Sequence, residues 1–266
     1  MQEQTASSRQ IVTPAGFASE AAGVLARVRA QSPRVHCITN SVAQNFTANV
    51  LLAFGAIPSM TLSPAEIGAF VKRSNALLVN LGTFGTERRE ATSIAVDAAV
   101  QARLPWVLDP VFVDRAPPRA SYARDLLFLH PAAMRLNADE FAALAGTATS
   151  ADAVAAFARE RGVAIGLSGA QDVIADGVRA VTLENGDPLM AKVTAMGCAA
   201  SAMVAACLAV EADALIATAS ALLIAGVAGE IAAARAQGPG SFAVGILDAL
   251  HTLDADTLKT RARITL

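Results

Sequence analysis

Short apolar runs that close on a polar residue alternate with longer, periodically apolar stretches over the first two thirds of the chain. Residues 76–80 (Ala-Leu-Leu-Val-Asn) and 105–109 (Pro-Trp-Val-Leu-Asp) are apolar up to their last position. Unbroken runs of that length predict strands covered on both faces, as in a parallel sheet. Shorter runs at 35–38, 57–60, 133–136 and 163–167 predict further strands. Helices are predicted at 16–31, 42–54, 86–103, 120–128, 138–144 and 151–161. Another is predicted to start at Ser63-Pro64, where Ser suits the cap and Pro the first turn. Residues 172–175 and 178–184 alternate between turn residues (Gly177, Asn185, Gly186), which predicts antiparallel strands at the sheet edge. From Gly197 onward the pattern is helical to the end. Strand–helix alternation of this kind predicts an α/β fold with a mostly parallel sheet. The chain divides into a flexible arm over 1–15 and one domain over 16–266.

Two runs without a charge, 193–210 and 214–229, together with a mean hydropathy of +0.45, raise the question of a membrane. Both runs are rich in Ala, and the first is interrupted by Thr194, Gly197 and Ser201. Buried helices of a soluble protein account for them better than a span of roughly 20 strongly apolar residues. The first residues, MQEQTASSRQIVTPAG, lack the apolar core of a signal peptide. An apolar share of 54% against 17% charged excludes a disordered chain, and 266 residues suffice for one large core. With 21 basic and 23 acidic residues the net charge is −2, which excludes a nucleic-acid binder that works by bulk attraction. Three distant cysteines in apolar settings (Cys37, Cys198, Cys207) predict a reducing, cytoplasmic compartment. His36, His130 and His251 show no metal-ligand spacing.

In parallel sheets ligands sit beyond the carboxyl ends of the strands. The polar residues that close each run therefore carry most weight: Asn40, the Met60-Thr61 pair, Asn80, Asp109, Asn137 and Ser168. The segment 193–198, Val-Thr-Ala-Met-Gly-Cys, predicts the end of a strand, a tight turn and the start of a small-residue helix. Free N–H groups at such a helix start make an anion hole, with Ala195, Met196, Gly197 and Cys198 around it. The plainer alternative makes Gly197 a helix-start glycine and Cys198 a small buried hydrophobe. Asn137 and Glu140 share a helix face and could hold Mg²⁺ through its waters, or form a capping box. Asp109 could orient metal-bound water or turn a loop before Pro110. Arg135 could pair with phosphate or lie at the surface. Asn45, Thr47 and Asn49 cost helix propensity, which suits either capping or a pocket wall. The segment 238–242 breaks a helix, and Ser241 is placed to cap the next.

Together these blocks resemble the hydroxyethylthiazole kinases, a thiamine-salvage family of the ribokinase-like superfamily. The matching segments are VHCITN (35–40), NFTAN (45–49), LLAFGAIPSM (51–60), VLDPV (107–111), RLNADE (135–140), DVIAD (172–176), KVTAMGC (192–198) and GPGSF (238–242). Their order and spacing fit from about residue 20 to 260. The resemblance implies a ribokinase-like three-layer α/β/α sandwich and ATP-dependent phosphorylation of the primary alcohol of 4-methyl-5-(2-hydroxyethyl)thiazole. It implies Asn40, Met60 and Ala195 at the thiazole, Arg135 and Ser168 at ATP, and Asp109, Asn137 and Glu140 near Mg²⁺. It further implies a homotrimer with sites at subunit boundaries. Cys198 stands where most of the superfamily carries an Asp general base, so it is the candidate to accept or position the alcohol proton. The CITN and NFTAN blocks argue against two relatives, a hydroxymethylpyrimidine kinase and a nicotinamide-nucleotide hydrate dehydratase. The presence of Asn137, Glu140 and Cys198 argues against a non-catalytic sensor.

Two departures stand out. The familiar turn Gly-Ala-Gly-Cys reads Ala195-Met196-Gly197-Cys198 here, and Ala is harmless for Gly only where φ is negative. After Asp109-Pro110-Val111 the chain reads Phe112-Val113-Asp114-Arg115, where relatives often carry Gly-Ala-Gly.

Overall fold

The computed structural model describes residues 13–266. Of the predicted arm, residues 1–12 lie outside the described residues, while Pro14 and Ala15 already belong to the first helix. Thr13 caps that helix, its Oγ1 accepting the N–H of Gly16.

In chain order, the first half runs α1 (Pro14–Gln31), β1 (Arg34–Ile38), α2 (Gln44–Phe54), β2 (Ile57–Ser59), α3 (Ile67–Lys72), β3 (Ala76–Asn80), α4 (Thr86–Ala102), β4 (Trp106–Asp109) and α5 (Pro117–Leu127). It continues with β5 (Ala133–Asn137), α6 (Ala138–Ala145), α7 (Ala151–Arg161), β6 (Ala164–Ser168), β7 (Asp172–Ala175) and β8 (Ala180–Leu183). After a 3₁₀ turn at Pro188–Lys192 come α8 (Met196–Leu208), α9 (Ala214–Ala233), α10 (Pro239–Thr252), α11 (Ala255–Arg261) and β9 (Ile264–Thr265). The strands form one sheet in the order β2-β1-β3-β4-β5-β6-β7-β8-β9. The first six pair in parallel, and β7 to β9 continue antiparallel to their neighbours.

The period-2 alternation of the strands divides the core in two. Ala76 and Leu78 of β3 face a core built with α1, α2, α8, α9, α10 and α11. Leu77 and Val79 face the opposite core, built with α3 to α7. Every residue of β3 is buried, as expected of a strand with a helical layer on each face. The result is the predicted three-layer α/β/α sandwich. Both uncharged runs form helices, α8 and α9. By length and composition alone α9 could cross a membrane, yet most of it is buried in the core.

Several local predictions need correction. The helix after Ser63-Pro64 starts at Ile67, because residues 64–66 form a turn in which the N–H groups of Glu66 and Ile67 both feed back to the Ser63 carbonyl. No strand precedes the 193–198 turn; Pro188 starts a 3₁₀ turn there, capped by Asp187, whose Oδ1 accepts the N–H of Leu189. The chain does not end in helix, since β9 adds to β8 and takes the sheet edge. Gly238, not Ser241, caps α10, and the Ser241 hydroxyl accepts the Gln237 N–H instead.

Candidate functional site

The parallel strands bring their closing polar residues to one edge of the sheet. Asn80 ends β3 and Asp109 ends β4, in register with each other. Asn40 follows β1, and Cys198 lies in the first turn of α8. Asn80 Nδ2 donates to Asp109 Oδ2 at 2.7 Å and to Cys198 Sγ at 3.2 Å. Asn40 Nδ2 donates to the same sulfur at 3.4 Å and to Asn80 Oδ1 at 3.3 Å. Ser201, one turn into α8, donates to Asp109 Oδ2 at 2.9 Å. Gly82 closes the loop after β3 because a Cβ there would fall 2.7 Å from the Asn40 side chain. Four segments distant in sequence are thus tied by side-chain hydrogen bonds, as buried polar groups require.

Burial sets the charge of this cluster. The Cys198 thiol is pushed up to about 11, first by burial and then by the Asp109 carboxylate; the two amide donors and Arg135 oppose this only in part. The neutral thiol is therefore its resting form at physiological pH. Asp109 is raised too, by burial, against the pull of Arg135, Ser201 and Asn80.

The turn before α8 has the form an anion hole needs, with one strained residue. Ala195 lies at φ +70° and ψ 0°, in the left-handed region. A side chain there costs about 1–2 kcal/mol relative to the right-handed helix. That answers the question posed by the Gly-to-Ala departure: the position favours glycine. The first-turn N–H groups of Met196, Gly197 and Cys198 have no carbonyl one turn back to serve. Gly197 matters for a different reason, since a Cβ there would displace the Arg135 guanidinium from its place. Phe112 is also left-handed, at φ +63°. Both departures from glycine thus fall where the backbone suits glycine best.

Beside the turn opens a cavity of about 610 Å³, within the range of nucleotide-sized sites. Arg135, Asn137, Ser168, Met196 and Gly197 line it, and the Arg135 guanidinium donates to the Ser168 hydroxyl. Its far wall comes from Asn185, Gly186 and the α9 residues Leu222, Ala225 and Gly226. Sequence reading missed that wall because it carries no motif; only Asn185-Gly186, read as a turn, gave any signal. It also missed Ser201, concealed in the uncharged run, and Asp172, a cavity residue whose carboxyl burial pushes up.

Asn137 and Glu140 form the capping box at the start of α6. Asn137 Oδ1 accepts the Glu140 N–H at 2.9 Å, and Glu140 Oε2 accepts the Asn137 N–H at 3.0 Å. Glu140 Oε1 accepts the Phe112 N–H at 2.9 Å. The Glu140 carboxyl is raised mainly by burial, with the Asp109 charge adding to it. No group of three or more His, Cys, Asp or Glu side chains able to hold a metal occurs among the described residues. Two mutually repelling, buried carboxylates fit a hydrated Mg²⁺ that takes most of its ligands from water and phosphate.

Met60 stands apart from this cluster. It follows β2 at the sheet edge, two strands from Asn80, and is half-buried. His36 fixes the chain on both sides of it. Its Nδ1 meets the Ser59 hydroxyl at 2.8 Å, and its Nε2 meets the Thr61 carbonyl at 3.1 Å. Burial lowers this imidazole to about 4, so it stays neutral and donates from Nε2. In the NFTAN segment Asn49 Nδ2 donates to Asn45, while Thr47 is fully buried. None of the three caps α2; the Asn40 side chain accepts the N–H of Ala43 just before that helix.

Residues 25–256 match the model of the hydroxyethylthiazole kinase family. The hydroxyethylthiazole kinase of Tolumonas auensis is 45% identical over 249 residues, covering 88% of this chain and 93% of its own. A hydroxyethylthiazole kinase structure from Pyrococcus horikoshii superposes with a TM-score of 0.88 at 33% identity, covering 92% of this chain and 98% of the other. The pyridoxal kinase of Staphylococcus aureus with AMP-PCP and pyridoxal matches at TM-score 0.60 and 16% identity, a likeness of fold alone. On this breadth of match the chain belongs to the hydroxyethylthiazole kinase family.

Proposed function

We propose that this kinase transfers the terminal phosphoryl group of ATP to the primary alcohol of 4-methyl-5-(2-hydroxyethyl)thiazole. The observation that carries this reading is the start of α8, which joins a cavity to a polar cluster. Met196 and Gly197 line the nucleotide-sized cavity that bears Arg135 and Ser168, and the next residue, Cys198, accepts the Asn40 amide. Phosphoryl transfer through a loose transition state needs alignment and charge stabilisation more than a strong base. The amides of Met196, Gly197 and Cys198 supply fixed dipoles for charge on the moving group. Arg135, hydrogen-bonded to Ser168, holds phosphate oxygens on the cavity side.

Cys198 acts in this scheme as a positioned thiol rather than a thiolate base. Asn40 and Asn80 both donate to its sulfur, which leaves the thiol proton free to orient the alcohol oxygen. The alcohol proton then leaves late, to an oxygen of the transferred phosphoryl group, in keeping with a nucleophile that needs little activation. Asp109 and Glu140, with Asn137, are the residues that would hold Mg²⁺ through its waters. The ion would draw charge from the phosphate oxygens.

The assembly we propose is a homotrimer in which Met60 reaches a neighbour's thiazole pocket. Support comes from the open edge strand β2 and the helices before and after it, where Ile57 of β2, Leu52 of α2 and Phe70 of α3 are exposed. Exposed apolar side chains at an open sheet edge favour burial against another chain. Free cysteines without a disulfide partner support a cytoplasmic setting. The test is ADP release measured with hydroxyethylthiazole, with hydroxymethylpyrimidine, and with no acceptor. Release with the thiazole alone is the expected result. A folded protein that releases no ADP with it would refute the proposal.

A further inference from the structure

Phe112 occupies a left-handed backbone position where glycine would rest without strain, and its N–H nevertheless reaches Glu140 Oε1 at 2.9 Å. Something must hold it there. Arg119, in the first turn of α5, is placed to do so. Its guanidinium lies 5.9 Å from the Phe112 ring centroid and 5.7 Å from that of Phe84. Its Nη1 donates to the Val111 carbonyl at 3.0 Å, directly before the strained residue. Its Nε is buried without a hydrogen-bond partner, facing rings rather than acceptors. Arg115 covers Phe112 at 5.6 Å and Arg89 covers Phe84 at 5.3 Å. Guanidinium and aromatic groups thus alternate across two loops, 81–85 and 110–116, which follow β3 and β4 directly after Asn80 and Asp109. Such stacking gains most where it is screened from water.

From this geometry we infer that Arg119 is a positioning residue. It clamps the 110–116 loop so that the Phe112 N–H stays on Glu140 and fixes that carboxylate at the phosphate end of the cleft. The clamp compensates for the glycine this chain lacks at 112. The inference rests on the proposed function only in assigning Glu140 to the phosphate end.

The logic yields a rescue experiment. Arg119→Ala should weaken ADP binding in calorimetry, and raise the KM for ATP, about tenfold, with the KM for the thiazole within twofold. Arg119→Lys, which keeps the charge but not the planar stack, should behave like the alanine variant. In nucleotide- and metal-free protein, trypsin should cut after Arg115 several-fold faster in both. Adding Phe112→Gly to Arg119→Ala should restore ADP affinity to within threefold of the parent, because glycine takes the left-handed conformation unaided. Unchanged ADP affinity in Arg119→Ala, an equal change in both KM values, or no recovery in the double variant would overturn the inference. Calorimetry with ADP needs no acceptor, so these outcomes are separable from a failure of the thiazole reaction.

Discussion

Ala195 and Cys198 sit three residues apart and carry opposite lessons about what a side chain costs. Ala195 holds a left-handed backbone that disfavours any side chain. Ala195→Gly should therefore stabilise the fold by about 0.5–1 kcal/mol, the relieved strain exceeding the entropy glycine adds to the unfolded chain. Urea unfolding checks this, and a lower midpoint in the variant would contradict it. Cys198 carries an alkaline prediction. Its pKa rises from about 9 to about 11 on folding, so between those values the folded state holds a proton that the unfolded chain has released. Stability is then full below pH 9 and is lost as pH rises through 11. Cys37, pushed up to about 12 by burial, adds in the same direction, as does the buried Cys207. Denaturation midpoints from pH 8 to 11 should fall steadily, and substituting Ser for Cys198 should flatten part of that slope. Much of this cluster could be anticipated from the chain. Asn40, Asn80, Asp109, Asn137 and Ser168 each close or follow an apolar run, and a parallel sheet brings such residues to one edge. The sign of φ at Ala195 and the charge state of Cys198 could not be, because both depend on packing by segments far away.

At the level of elements, pattern reading succeeded where burial is two-sided and failed where geometry is short or local. The strand at 76–80 and the helix at 151–161 fall where the apolar pattern puts them. The strand end expected at residue 193 is absent because the chain reaches the turn from a 3₁₀ turn at Pro188–Lys192, a geometry too short for the apolar pattern to mark. β9 has two residues, too few to register against the helical background. Helix α9 shows why small residues matter beyond propensity. A Cβ at Gly226 would fall 2.7 Å from the Asn185 carbonyl oxygen, so the helix approaches the cavity wall as closely as backbone allows. Gly226→Ala should push the 185–187 connection into the cavity, raising the KM for ATP several-fold and costing about 1–3 kcal/mol of stability. Steady-state kinetics with each substrate varied in turn would check it; a change confined to the thiazole would count against that placement of the nucleotide.

For the molecule as a whole, the near-zero charge and the apolar excess take on definite roles. In the proposed reaction, oriented amides and a single arginine would hold a polyanionic donor locally, a task that needs no basic surface. Part of the apolar excess stays exposed along β2. Leu52→Lys combined with Ile57→Lys should convert the proposed trimer to smaller species by light scattering and reduce activity with it. Co-refolding Met60→Ala chains with Cys198→Ala chains should recover part of the wild-type rate if sites are shared between subunits. No recovery, with mixed assemblies demonstrated, would place each site within one chain.

The covering of the sheet by α8 and α9 has a consequence for biosynthesis. Those helices begin at Met196 and Ala214, after the first eight strands have been made. A ribosome adding roughly 5–20 residues per second leaves that face of the parallel sheet with only α1 and α2 to cover it for several seconds. During that interval Val35, Leu78 and Val107, which end in the core, face water or a chaperone. Nascent chains that stall before residue 196 should therefore be captured by chaperones or aggregate. Release of the chain from such help should coincide with the emergence of the helix whose first turn also completes the cleft.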